Sequence, residues 1–180
     1  MPRLRTVVAS TVFAVLGALI ILAMQRELAT RPVNDPATSS EAVPQNALST
    51  DEEAYAAALW PIHSGAVEIS AVAMSFAGVD YVTERPDRER LEARVLKLNN
   101  VFRAAAAKAQ SLEVPRSMQK VHDQYMEALT LYVNASAEMM KVAEDGRVDH
   151  LIEAQTMSQR AAEDLLKVGD VLWPSEHKPN

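Results

Sequence analysis

The side chains with the widest chemical reach in this chain are four histidines, His63, His122, His150 and His177. Imidazole moves protons near neutral pH and binds metals of intermediate softness. Di-metal sites in helical bundles use Glu-x-x-His spacing, which sets both ligands on one helix face. The chain contains no Glu-x-x-His and no His-Glu-x-x-His. It has no cysteine either, which removes disulfides, thiolate ligands, cysteine nucleophiles and the attachment of a c-type haem. Only His122 falls on an apolar helical seam, and Tyr125, Tyr132 and Met139 follow it along the same line. These four residues form the candidate cofactor-binding set, suited to a small ligand or a non-covalent haem. The plainer reading is a buried histidine bonded to a seam hydroxyl such as Tyr132 or Ser158. No cofactor and no metal ligand set is assigned.

Other reactive types read as structural. Met74, Met118, Met126, Met139, Met140 and Met157 lack a tight Met-x-x-Met cluster, so they fill a core rather than hold copper(I). Serine, histidine and aspartate occur without a nucleophile elbow. Glu144, Asp145 and Asp149 surround one loop and attract cations no more than ordinary solvated charges do. Asn134-Ala-Ser136 matches a glycosylation sequon inside an expected helix. No catalytic constellation emerges, and the chain reads as a binding protein, not an enzyme.

Helices must position these residues. Apolar and small residues recur at alternating spacings of four and three, the pattern of buried helical seams. The first seam runs Tyr55, Leu59, Ile62, Ala66, Ile69, Ala73, Phe76; the second Leu91, Val95, Leu98, Phe102, Ala105, Ala109, Leu112. The third runs Met118, His122, Tyr125, Leu129, Tyr132, Ser136, Met139, Ala143; the fourth Leu151, Ala154, Ser158, Ala161, Leu165, Val168, Leu172. No stretch alternates with period two, so no strand is expected. Five glycines in 180 residues also argue against turn-dense β architecture.

Boundary signals agree. Ser49 or Thr50 precedes the acidic turn Asp51-Glu52-Glu53. Pro86 and Pro115 suit the first positions of the second and third helices. Gly146 can close the third helix in a left-handed conformation, Asp149 can cap the fourth and Pro174 ends it. Short loops make consecutive helices antiparallel neighbours. Pro61 interrupts the first seam, leaving Ser49–Trp60 as a kinked extension or a separate short helix.

The chain's two tryptophans stand in a repeated tripeptide, Leu59-Trp60-Pro61 and Leu172-Trp173-Pro174. In an up-down-up-down bundle both fall at one end, with the indoles within about 15 Å given usual interhelical spacing. They read as a plug on the core or as a clasp at an interface built from Trp60, Pro61, Trp173 and Pro174. His63 and His177 follow the two motifs and would be neighbours.

The third and fourth helices read HDQYMEALTLYVNASAEMMKVAEDGRVDHLIEAQTMSQRAAEDLL. A Tyr-rich helix ending in an acidic Asp-Gly turn before an Ala/Leu-rich helix resembles exported, membrane-anchored bacterial four-helix-bundle proteins of unknown function. The likeness spans about residues 50–173. It is similar, more loosely, to the ligand-sensing bundles of bacterial chemoreceptors and sensor kinases, whose second span and signalling region are not expected here. The resemblance implies an exported bundle and carries over no ligand or activity.

Ahead of the bundle, Thr6 to Gln25 are uncharged, and twenty helical residues rise about 30 Å, the hydrocarbon thickness of a bilayer. The stretch runs into Ala23-Met24-Gln25-Arg26-Glu27, which offers no good cleavage site, so an uncleaved anchor is expected over a cleaved signal. Residues 29–48 hold three prolines among Ser, Thr and Asn, a disordered stalk. Residues 49–180 carry 14 Lys+Arg against 21 Asp+Glu, an acidic body unsuited to nucleic acid. The organisation expected is an anchor over 1–26, a stalk over 27–48 and an all-α, up-down-up-down antiparallel four-helix bundle over 49–180. The function expected is a membrane-tethered, extracytoplasmic interaction protein or accessory sensor. Its partners would be the membrane, through the N-terminal helix, and a protein or small ligand. The alternative is a small-ligand or haem-binding bundle using the core near His122.

Overall fold

The computed structural model describes residues 48–84 and 86–174. The expected anchor, nearly all of the stalk, and His177 lie outside the described residues. Four helices make up the described chain, and no strand occurs among the described residues. Helix α1 is a single 34-residue rod, Thr50–Thr83. It consists of an α-helical limb Thr50–Ile62, a π-helical segment His63–Glu68 and a second α-helical limb Ile69–Thr83. Helix α2 spans Arg88–Gln110, α3 spans Gln119–Asp145 after a 3₁₀ turn at Arg116–Met118, and α4 spans Asp149–Leu172.

Local chemistry accounts for the ends. Glu52 accepts from the Ser49 backbone N–H at 2.8 Å and from the Ser117 hydroxyl at 2.6 Å, so the capping carboxylate also ties α1 to the turn before α3. Asp87 caps α2 by accepting from the Arg90 N–H at 2.9 Å. The helix therefore starts two residues after Pro86 rather than on it, because the aspartate satisfies an orphan N–H that proline cannot. Pro115 sits ahead of the 3₁₀ turn. Gly146 closes α3 at φ 75°, donating to the Val142 carbonyl at 2.9 Å. Val148, not Asp149, occupies the N-cap position of α4, and Asp149 opens the helix as its acidic first-turn residue.

Helices α2, α3 and α4 bury the seams read from sequence, with small changes. Phe102 and Leu129 are fully buried, and Phe102 stacks on Tyr132 with ring centroids 4.9 Å apart. Asn99, absent from the expected seam, is buried between α2 and α3. Its amide donates to the Val133 carbonyl at 3.1 Å and the Ser136 hydroxyl at 2.7 Å, and its oxygen accepts from Arg103 at 2.8 Å. Leu98, Leu112, Ala143 and Ser158 are only half-buried. Helix α3 packs most extensively, against α2 on one side and α4 on the other.

Helix α1 departs from expectation. Pro61 has no N–H to give the Ala57 carbonyl, and the π-helical segment begins two residues later. A π turn holds one more residue than an α turn, so the seam slips by one. Tyr55, Leu59 and Ile62 are buried as expected, but after them come Val67, Ser70, Met74, Ala77 and Tyr81. Ile69, Val72 and Phe76 face outward, each more than half exposed. The proline is thus absorbed within one helix, with neither a separate short helix nor a break.

Candidate functional site

Six rings gather where the first limb of α1 meets the start of α3 and the end of α4. Trp173 is buried at the C-cap of α4, and its indole N–H reaches the Ala56 carbonyl at 3.3 Å. Trp60 meets it edge-on at 4.9 Å, well inside the expected separation, and His63 stacks on it at 5.1 Å. Tyr125 approaches His63 at 6.1 Å. Tyr55 meets His122 at 6.0 Å between ring centroids, its hydroxyl 3.0 Å from His122 Nδ1. The two Leu-Trp-Pro segments thus come together, and the third-helix pair His122 and Tyr125 belongs to the same neighbourhood.

The other two residues of the candidate cofactor set lie elsewhere. Met139 is 17 positions beyond His122, about 25 Å along the helix axis. Its methyl group packs against the open side of Gly78. Tyr132 is committed to Phe102. The seam hydroxyls Tyr132 and Ser158 do not serve His122: Ser158 donates to the Ala154 carbonyl at 2.8 Å, and Tyr55, from another helix, takes the role. Partners on a separate helix leave no local spacing signal, which is why this pairing escapes a seam analysis.

Burial sets the electrostatics of the cluster. It pushes the Tyr55 phenol up to about 12, aided by the nearby Asp123 carboxylate. Tyr125 is raised further by burial and by Tyr55, and its hydroxyl has no hydrogen-bond partner among the described residues. Burial pulls His122 below the usual imidazole value, and Asp123 partly offsets this. Burial thus favours the neutral forms of Tyr55, Tyr125 and His122.

A second group of polar side chains sits at the other end of α3. Glu138, a buried carboxylate, meets the Lys141 ammonium at 2.6 Å and His150 Nδ1 at 2.6 Å. His150 Nε2 lies 3.1 Å from Asp145, and Glu153 stands one turn further along α4. These contacts hold Glu138 low, chiefly through Lys141, and raise His150, chiefly through Glu138 and then Asp145. Here the sequence carried a signal that went unused: His150 and Glu153 are three apart, the reverse of Glu-x-x-His, and share a helix face.

The third feature is the outer face of α1. From Ile69 to Val79 no residue is charged, and Ile69, Val72 and Phe76 expose 63%, 53% and 54% of their surface. By length and composition the Thr50–Thr83 helix is apolar enough to cross a membrane, which core helices of soluble proteins also achieve. Beside its π-helical segment lies an open groove of about 560 Å³, lined by Pro61, Ile62, Gly65, Ala66, Val101 and Ala105 among others. No protein-family model, curated protein or solved structure matches the chain.

Proposed function

We propose that this chain is a membrane-tethered, extracytoplasmic helical bundle that works by binding a protein partner and catalyses no reaction. The tether is the uncharged stretch Thr6–Gln25, the stalk is the Pro-rich segment after it, and the bundle runs up-down-up-down. The meeting of Trp60 with Trp173 and the tight Gly146 turn support that topology. It is the layout of the exported four-helix proteins that the third and fourth helices resemble.

The observation that carries the reading is the outer face of α1. A run of eleven uncharged residues with three large apolar side chains exposed matches a partner through apolar burial, not charge. The partner is accordingly a protein presenting an apolar surface of its own. The Trp60–Trp173 contact then serves as the plug on the core, since Trp173 is buried with its N–H satisfied.

Site-specific photocrosslinking in intact envelopes tests this. A crosslinker at Phe76 should trap a discrete partner that the same group at Glu92, exposed on α2, does not. No adduct specific to Phe76 would overturn the reading.

The alternative, a small-ligand or haem bundle near His122, has one observation in its favour, the unpartnered Tyr125 hydroxyl. Against it stand the Tyr55–His122 bond and the distance to Met139. Purified full-length chain with visible haem absorbance lost in His122→Gln would restore it.

A further inference from the structure

Helix α3 ends among charged groups, one of them a buried carboxylate. Burying a carboxylate costs free energy unless a cation or several hydrogen bonds compensate, and Glu138 is only 8% exposed. Its Oε2 takes the Lys141 ammonium, while Oε1 turns to His150 Nδ1. Glu153, on the same face of α4 as His150, adds another carboxylate. One ligand atom from each of Glu138, His150 and Glu153 lies within 4.8 Å of the others.

We propose that Glu138, His150 and Glu153 bind one divalent transition-metal cation, zinc(II) being the ion that the donors suit best. One imidazole nitrogen and two carboxylates make an intermediate donor set. It is too soft for calcium, which takes six to eight oxygens, and it has no sulfur for copper(I). Bonds of about 2.0–2.2 Å around a tetrahedral zinc place ligand atoms about 3.3 Å apart. The ligand atoms, within 4.8 Å of one another, would draw together around the ion, except that His150 Nδ1 and Glu138, now 2.6 Å apart, would open slightly to admit it.

The orientation of His150 supports the assignment independently of the carboxylate count. A metal-binding histidine typically donates its second ring N–H to a carboxylate, which fixes the tautomer and turns the free nitrogen to the ion. His150 Nε2 faces Asp145 at 3.1 Å, leaving Nδ1 toward Glu138 and the proposed ion. Asp145 is thus a positioning residue. Glu153 is exposed and provides an entry path, whereas His150 and Glu138 have side chains only 15% and 9% exposed. Lys141 is the competitor, neutralising Glu138 in the ion's place. The site is separate from the outer face of α1, so neither proposal depends on the other.

The test uses the full-length chain in detergent, stripped with EDTA and titrated with zinc chloride by calorimetry. The expected result is one zinc per chain. His150→Gln and Glu153→Gln should each weaken binding at least tenfold, and Asp145→Asn about tenfold. Lys141→Gln should tighten binding several-fold, because the competing ammonium is gone; a merely structural ion-pair network would not respond this way. Thermal melts in EDTA show that each variant folds. No saturable binding overturns the proposal. Unchanged affinity in His150→Gln and Glu153→Gln does so too, since the zinc is then held elsewhere, as does weaker binding in Lys141→Gln.

Discussion

His122, in the first turn of α3, and His150, in the first turn of α4 beside the far end of α3, answer opposite surroundings. His122 lies among Tyr55, Tyr125 and their neighbours, where burial favours the neutral ring. His150 lies between Glu138 and Asp145, which favour the charged ring. One end of α3 thus meets an aromatic assembly and the other a cluster of carboxylates. The difference shows how the work is divided: apolar rings hold the fold together at one end, while charge at the other contributes less to stability and leaves chemistry available.

The sharpest way to break that comparison is to truncate the aromatic end. Trp173→Ala removes a buried indole that touches Trp60 and His63 and donates to Ala56. The expected loss is about 3–5 kcal/mol, measured by urea unfolding. A loss below about 1 kcal/mol would mean that the rings do not anchor α4 to α1.

At the charged end the largest single backbone effect should come from Gly146→Ala. The residue holds φ 75°, and an added methyl would meet the Arg88 guanidinium. Left-handed conformation costs an L-residue about 1–2 kcal/mol, and the flexible Arg88 can swing away. Gly146→Asn, which tolerates this conformation better, should recover part of the loss in the same unfolding assay.

Tyr125→Phe tests whether the Tyr125 hydroxyl at the aromatic end is without a partner in solution. A buried hydroxyl with no partner carries an uncompensated desolvation cost. Its removal should raise stability by about 1 kcal/mol in thermal or urea unfolding. A decrease of that size would place a bonded water or ligand at the hydroxyl and favour the His122 alternative.

The sequence was most legible where one helical period runs unbroken. The seams of α3 and α4 follow a single phase, and Gly146 and the Leu-Trp-Pro repeat mark their ends, so Leu129, Leu165 and the tryptophan contact were all accessible to pattern. In α1 the phase was readable only as far as Ile62. A π-helical segment inserts one residue without any unusual residue type beyond Pro61, and each later position moves to the neighbouring face. Ile69 and Phe76, read as core, are therefore surface, and the candidate docking face was invisible for the same reason. Asn99, the Tyr55–His122 bond and the Glu138–His150 pair depend on contacts between helices, which periodicity within one helix does not encode.

The smallest effect, and the most direct test of the two-ended picture, is the titration of His122. Burial lowers its folded-state pKa below the ordinary 6.5, and the Asp123 carboxylate acts in the opposite direction. When pH falls below 6.5 the unfolded chain takes up its proton first, so stability is lost from there down to the folded-state midpoint and no further. Its ring signal in NMR should titrate below 6.5. Asp123→Asn should move the midpoint lower still, because only desolvation then acts, with Tyr55 as the remaining polar neighbour. A midpoint above 6.5, or an upward move in Asp123→Asn, would show a charged imidazole amid the rings. The two ends of α3 would then no longer differ in kind.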